Sequence, residues 1–495
     1  MSHRTTPLLV LGLLLQGFGA CRGGAASGNP PDGGAGHPMA GAGGDGGLGR
    51  GATGGAGGAA GPPGTAGSAG NLGTSGAPGG RGGTGGDGMS NQGGASGSAG
   101  GAGAGGSASS GGAAGIPGGA SGSGGGAGGI GFGGAGGSSV FKTISFAPAV
   151  GSAARTPQVV TLADFNKDGK LDAATVSFDG YVSVLIGKGD GAFQPEMTYE
   201  CNAVEPGTAI VAADFNNDGN VDLAVALSYY GFGTLFGNGD GTFRSFSLRT
   251  SAVTANSGLA VADLNHDGNV DVVVPIRTTG GSGVHVSLGN SDGSFREDLP
   301  IYAVMSSSHA GLVVVDFNKD GRLDVVTCGG GFIGVLPGNG DGTFPLYGTT
   351  FPVASGTTVR SIAVADLNRD GAPDVVASDS VAGTLNVFLG KGDGTLLEAK
   401  PFPCGPAPAD VQVADLNLDG TPDIVTTNDN GPGNPGTVAV LAGKGDGSFV
   451  PYVAFATGMG PHAVSIADLD GDTLPDLVVA NKNAGSVSVL INTSR

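Results

Sequence analysis

From Phe141 to the C-terminus the chain alternates short runs of branched apolar residues with clusters of Gly, Asp and Asn, and no useful segment repeats its apolar residues at helical spacing. Each unit opens with a run such as SIAVADL, passes through an acidic loop, and continues with runs such as PDVVAS and LNVFLG. Runs of this length and composition, bounded by turn formers, predict β-strands. The acidic loop recurs seven times: DFNKDGKLD from Asp164, DFNNDGNVD from Asp214, DLNHDGNVD from Asp263, DFNKDGRLD from Asp316, DLNRDGAPD from Asp366, DLNLDGTPD from Asp415 and DLDGDTLPD from Asp468. Successive starts are 50, 49, 53, 50, 49 and 53 residues apart, a period that signals a solenoid, a propeller or an array.

A second marker follows the third run in six units, reading GKGDGAF at Gly187, GNGDGTF at Gly237, GNSDGSF at Gly289, GNGDGTF at Gly338, GKGDGTL at Gly390 and GKGDGSF at Gly443. It predicts a hairpin turn into a fourth strand. Lys188, Lys391 and Lys444 are each followed by Gly, not Ser or Thr, so none belongs to a phosphate-binding loop. Four antiparallel strands, seven times over, predict an all-β fold, a seven-bladed propeller spanning residues 140–495. The last unit stops at SVSVLINTSR without a fourth strand, while FKTISFAPAV, from Phe141, precedes the first unit as an orphan. Residues 141–150 are therefore expected to pair with the strand near Ser486 to Ile491, joining the chain ends and removing exposed edges.

Composition changes the picture for the N-terminal quarter. Of 105 Gly in the chain, 54 fall in residues 22–139, where the only charges are Arg22, Arg50, Arg81, Asp32, Asp45 and Asp87. Such a segment cannot bury a core, so residues 21–139 are expected to be a disordered Gly/Ala/Ser-rich linker with a reach of about 60 Å. Before it, LLVLGLLLQGF after Arg4 is too short to span a bilayer and ends in Phe18-Gly19-Ala20-Cys21. That ending looks like a bacterial lipobox, which predicts a signal peptide over residues 1–20 and lipidation of Cys21. A plain secretory signal is the alternative. The expected location is outside the cytoplasm, as an outer-membrane or cell-surface lipoprotein or a secreted protein.

Residues 140–495 carry 18 basic and 38 acidic side chains, a net of −20, which argues against a nucleic-acid partner. The three cysteines beyond Cys21 are Cys201, Cys328 and Cys404. Cys201 and Cys404 lie eight positions after Phe193 and Leu396, four repeats apart, so they belong on non-adjacent blades. No structural disulfide framework is expected.

The paired markers resemble the FG-GAP or VCBS-type repeats of integrin α-subunit propellers and of secreted bacterial proteins, and the likeness covers essentially all of residues 140–495. The resemblance implies a propeller whose acidic loops bind calcium, and the residue chemistry agrees. Positions 1, 3, 5 and 9 of each loop gather oxygens on one tight turn, and hard oxygens in that number suit Ca2+. The expected ligands are Asp164, Asn166, Asp168 and Asp172; Asp214, Asn216, Asp218 and Asp222; Asp263, Asn265, Asp267 and Asp271; Asp316, Asn318, Asp320 and Asp324; Asp366, Asn368, Asp370 and Asp374; Asp415, Asn417, Asp419 and Asp423; and Asp468, Asp470, Asp472 and Asp476. In the last loop Thr473 stands where the others have Gly, so strain is expected there. Seven divalent ions would bring the domain from −20 to −6.

In an antiparallel blade the acidic loop and the Gly-Asp-Gly turn emerge at one end, which leaves the opposite end for partners. The expected ligand-binding residues there are Tyr229, Tyr230, Phe232, Arg277, Phe332, Arg360 and His462, with His309, Asp429 and Lys482 on the same loops. No catalytic motif appears: no HExxH, no GxSxG elbow in the propeller and no nucleophilic cysteine signature. The reading is a monomeric, surface-anchored binding or adhesion module for a protein or glycan, touching the membrane only through its lipid. A carbohydrate-active enzyme of the polysaccharide lyase kind and a passive surface scaffold are the alternatives. The absence of Trp argues against sugar stacking.

Overall fold

The computed structural model describes residues 143–494, apart from 202–205, 229–230, 251–253, 256–257, 279–280, 297–299, 306–310 and 354–357. The expected signal segment, linker and Cys21 lie outside these residues, as do Tyr229, Tyr230, His309 and the Arg277 side chain.

Seven antiparallel sheets follow one another, six with their strands in sequence order and the seventh closed by a strand from the N-terminal side of the domain. Blade 1 comprises Pro157–Ala163, Asp172–Ser177, Tyr181–Leu185 and Met197–Glu200. The acidic loop joins its first and second strands, and the Gly-Asp-Gly turn joins its third and fourth. The apolar gradient along the unit explains this order. The second strand, DAATVS, is buried at every position, whereas the fourth, MTYE, is half-buried or exposed throughout. Continuous apolar strands are sandwiched between neighbouring blades and the alternating ones form the rim. Blade 3 departs from the expectation of one first strand: there it is split into Thr254–Ala255 and Ala260–Ala262, both pairing with Asp271–Thr278.

The hydrophobic residues form seven clusters, each between two consecutive blades. Between blades 1 and 2, for example, Phe165 and Val184 pack with Ile210, Leu223 and Phe243. Between blades 7 and 1, Val478 and Val489 pack with Leu162 and Ala173. The three described cysteines form no disulfide: Cys201 is half-buried and Cys328 and Cys404 are buried. Burial pushes the Cys201 and Cys404 thiols up to about 12, so neither is a ready nucleophile.

Blade 7 is Pro461–Ala467, Asp476–Asn481, Ser486–Leu490 and, from the other end of the domain, Val150–Ala153. The closing register runs from Val150 opposite Val489 to Ala153 opposite Ser486. The expected span of 141–150 is thereby corrected: the strand lies further along, and upstream of it only Phe146 bridges, to Asn492. The reason is that this stretch replaces a turn as well as a strand. Phe146 stands to Asn492 as Phe193 stands to Gly187, and Val150 follows Phe146 by the same interval that separates Met197 from Phe193. Phe146 also packs edge-on against Phe455 of blade 6 at 5.0 Å, so closure fastens two blades.

Candidate functional site

Each acidic loop is folded by its own carboxylates. In the first, Asp164 accepts the amides of Asp168 (3.1 Å) and Gly169 (2.8 Å), Asn166 Oδ1 accepts the Asp168 amide (2.9 Å), and Asp168 accepts that of Lys170 (2.9 Å). Lys167 and Gly169 both take positive φ, 61° and 80°, which aims these amides inward. The Asn166 amide nitrogen rests on the Asp168 carboxylate at 3.3 Å.

The ninth position does something its spacing does not announce. Asp172 is fully buried, and its two oxygens accept the Phe165 amide (2.9 Å) and the Gly187 amide (2.8 Å). One side chain therefore pins the acidic loop to the start of the second marker. The same pair of bonds recurs in every blade, ending with Asp476 between Leu469 and Asn492. Gly187 is glycine because a Cβ there would lie 2.0 Å from the Leu171 carbonyl oxygen. Asn492 replaces it at the chain end, where no turn follows, and its side-chain amide donates to the corresponding Pro475 carbonyl at 2.8 Å.

This burial perturbs the carboxyls. Desolvation pushes Asp172, Asp271, Asp374 and Asp476 up to about 6 and Asp222 and Asp423 up to about 7, while their backbone amides pull back and the neighbouring loop aspartates add to the rise. Asp324 moves the same way for the same reason. A cation would remove that penalty.

The seventh loop differs. Gly471 occupies the fourth position (φ 81°) and Thr473 the sixth (φ 76°), so the loop keeps the two positive-φ sites and exchanges which one is glycine. A β-branched residue in that region is strained, as its sequence leads one to expect. Asp470 replaces Asn, and oxygens of Asp468, Asp470 and Asp476 lie within 4.8 Å of one another. Ligands at calcium distances of 2.3–2.6 Å span that separation across one ion, so the donor set fits Ca2+. It is the single group of three clustered metal-type ligands among the described residues. In loop 3 the Arg296 guanidinium rests on Asp267 at 2.8 Å, taking part of the charge a cation would.

The first strands line an axial channel. At its loop end a cavity of about 320 Å3 is bordered by Leu162, Val413 and Ile466, with Asp468 and Thr473 at its rim. At the other end a second cavity of about 320 Å3 is bordered by Val160, Ile210, Arg360, Asp410, Gln412 and His462. His462 Nδ1 lies 2.9 Å from the Gln158 carbonyl, across the junction of blades 7 and 1. Because a carbonyl only accepts, Nδ1 carries the proton and Nε2 is left as an acceptor. Burial, then Lys482 and Arg360, hold the imidazole down to about 4, against the Gln158 bond and Asp429. Below it, Asp410 accepts the Ser361 hydroxyl (2.7 Å) and the amides of Val411 (2.9 Å) and Val464 (2.9 Å).

Of the residues expected to bind ligand, Arg360 and His462 both line this cavity; Lys482, whose amide donates to the Gly460 carbonyl at 3.0 Å, and Asp429 stand outside the lining and act on His462 electrostatically. Phe232 does not belong: it is only 2% exposed and packs edge-on against Phe295 at 5.0 Å. The strand begins already at Gly231, two residues sooner than a loop that includes Phe232 would allow, so Phe232 is its second residue and points into the blade 2–3 interface. Phe332, the first residue of the corresponding strand in blade 4, is 39% exposed and pairs with Pro352, away from the cavity lining. Asp410 and Gln412 were missed because they lie within a strand, where polar residues read as ordinary outward positions.

Seven four-stranded blades with paired acidic-loop and Gly-Asp-Gly markers define a repeat β-propeller. The chain belongs to the family described as FG-GAP-like repeat, which matches residues 164–225, 214–274, 316–377, 371–426 and 415–479. Among solved structures it is similar to a lectin of Agrocybe aegerita described by its recognition of non-reducing terminal N-acetylglucosamine: 22% identity, 66% of this chain and 86% of the lectin covered, TM-score 0.45. It is also similar to BBS1N from two complexes with ARL6DN, covering 70% of this chain and 96% of BBS1N in each. The mercury-soaked complex gives 13% identity and a TM-score of 0.49, the lead-soaked one 12% and 0.47. No curated protein matches the chain.

Proposed function

We propose that this protein is an exported binding module: a calcium-stabilised propeller, tethered through a lipid on Cys21 and a long linker, that engages a glycan or protein with the end opposite its acidic loops. The observation that carries it is the polarity of the domain. At the loop end the carboxylates are spent on folding the loops and suited to cations, whereas the other end opens a cavity beside Arg360, Lys482 and a neutral His462. Calcium there is structural, held by oxygens at positions 1, 3, 5 and 9, and relieves the repulsion between the buried ninth carboxylate and the more exposed ones of its loop. The FG-GAP-repeat propeller is a scaffold consistent with binding. Adhesion, calcium and surface anchoring are what the loops, the charge distribution and the N-terminal sequence support.

The test is a panel of acidic and neutral polysaccharides and candidate surface proteins, presented to the full-length chain with calcium and with chelator, scoring retention and chain length. Retention without shortening supports the module. Loss of retention in chelator would tie binding to the calcium-stabilised fold. A neutral imidazole near cations is a candidate base for proton abstraction, though a weak one at about 4, so calcium-dependent shortening would replace the binding reading with an enzymatic one. No retention of any kind would leave a passive scaffold.

A further inference from the structure

In a sevenfold repeat, a side chain that every blade requires recurs at equivalent positions, and one that occurs once serves either a local contact or a ligand. The channel mouth is where this chain breaks its repeat. The position of Asp410 is Val159, Ala209, Gly258, Gly311, Ser361 and Ala463 in the other first strands. The position shared by Arg360 and His462 is Gln158 in blade 1, Thr208 in blade 2 and Ala409 in blade 6. The charged side chains of the lining therefore fall in blades 5 and 6, next to His462 in blade 7, while blades 2 and 4 line the same cavity with apolar residues such as Ile210 and Leu312.

The rim has a cationic excess. Arg360 is exposed and Lys482 half-buried, both act on His462, and neither side chain has an ion-pair or hydrogen-bond partner among the described residues. Asp429 stands nearby with one oxygen on the Gly431 amide at 3.0 Å, which leaves these three rim groups with one net positive charge. Asp410 lies in the wall below this rim: the Ser361 hydroxyl, the Val411 and Val464 amides and the Gln412 side chain all donate to its carboxyl, while burial, the larger influence, shifts it toward the protonated form. The mouth thus offers two unpaired cations for an oxyanion and one fixed acceptor, His462 Nε2, for a hydroxyl. Among the described residues no Phe or Tyr lines the cavity, so recognition here rests on charge and hydrogen bonds, and its volume is at the small end for ligand sites.

We propose that this mouth binds a hydroxylated carboxylate, the chemistry of a sugar acid, with Arg360 and Lys482 holding the carboxylate and His462 Nε2 accepting from a neighbouring hydroxyl. The assignment rests on the binding reading above and names the ligand class for the same end of the domain. Such a group can arrive as a free sugar acid or as the uronate unit of a polysaccharide.

The test is calorimetric titration of the full-length chain in calcium with glucuronate, galacturonate, polygalacturonate and, as the neutral control, glucose. Saturable binding of the acids and none of glucose is expected, weakened about tenfold or more in Arg360→Gln and in Lys482→Gln. Both side chains lie outside the core, and an unchanged melting temperature verifies that the variants fold. Polygalacturonate binding tighter per site than the monomers identifies the chain as the source, and equal affinity identifies the single acid. Glucose binding as tightly as the acids, both variants binding as the parent does, or no saturable binding of any acid would overturn the proposal. Retention of a neutral glycan or a protein in the panel above, with no binding of acids, would overturn this assignment alone and leave the module standing.

Discussion

The two ends of the propeller treat polar residues in opposite ways. At the loop end, the buried carboxylate that joins loop to turn occurs in each blade with the same two backbone partners, from Asp172 to Asp476. At the other end Arg360, Asp410 and His462 each occur once. Repetition at the first end marks groups the fold needs in every blade. Singularity at the second marks groups the fold does without in the other blades. Substitutions at the loop end should therefore change stability, and substitutions of the unpaired rim residues Arg360 and Lys482 should change binding alone, whereas Asp410 and His462 also hold neighbouring blades together.

The largest effect should come from the seam that makes the two ends possible. Deleting residues 143–153 removes the fourth strand of blade 7 and the Phe146–Phe455 contact, and should lower the melting temperature of the whole domain more than any single substitution. A deletion variant that melts as the parent does would break the closure seen here.

Removing calcium comes next. Each site filled at ten times its dissociation constant contributes about 1.4 kcal/mol, so chelation should lower the melting temperature clearly. It should also expose a pH dependence. The folded carboxyls of Asp222 and Asp423, near 7, and of Asp172, Asp271, Asp374 and Asp476, near 6, lie above the ordinary value of 3.8. The native state then holds more protons than the unfolded one between about pH 4 and 7, so stability in chelator should fall as pH rises through that window. His462, held down to about 4 from 6.5, works the other way between those values, as a single group against these six and Asp324, Asp410 and Asp415, which are raised as well. A flat profile in chelator would show that these carboxyls are not raised in the folded state, and melting indifferent to calcium at pH 7.5 would show that the loops carry no linked cation.

A smaller effect separates the ends directly. Asp222→Asn sets an amide NH2 against one of two backbone amides and should cost about 2 kcal/mol in a denaturant melt. Arg360→Gln should leave that melt unchanged. If both variants lose stability alike, the contrast between ends does not hold.

The smallest effect concerns the one departure within the repeated end. Thr473→Gly relieves a β-branched residue at φ 76° and should stabilise the domain by about 1 kcal/mol, while the same glycine in a regular loop is already present. A destabilised variant would mean that the Thr473 side chain has a role its backbone does not reveal.

Much of this was legible beforehand because the repeat is a local signal read seven times. Strand order, the loop-to-turn geometry and the free thiols follow from spacings, as does the joining of the chain ends. The exact seam did not, because FKTISFAPAV contains both a turn substitute and the approach to a strand, and composition does not divide them. Phe232 was misplaced because its neighbours Tyr229, Tyr230 and Gly231 read as loop, while the face of an aromatic residue in a strand depends on where the pairing starts, and a shift of one residue reverses it.

The sequence by itself determined the period, the number of blades and which residues could serve as oxygen donors, because these depend on neighbours within a few residues. Only the tertiary structure decided that the ninth aspartate spends its carboxylate on two backbone amides, since Gly187 is 15 residues from Asp172. It also decided which singular residues share the axial mouth. The Gln158 carbonyl and His462 are 304 positions apart, and closing the ring is what brings the first and last blades together.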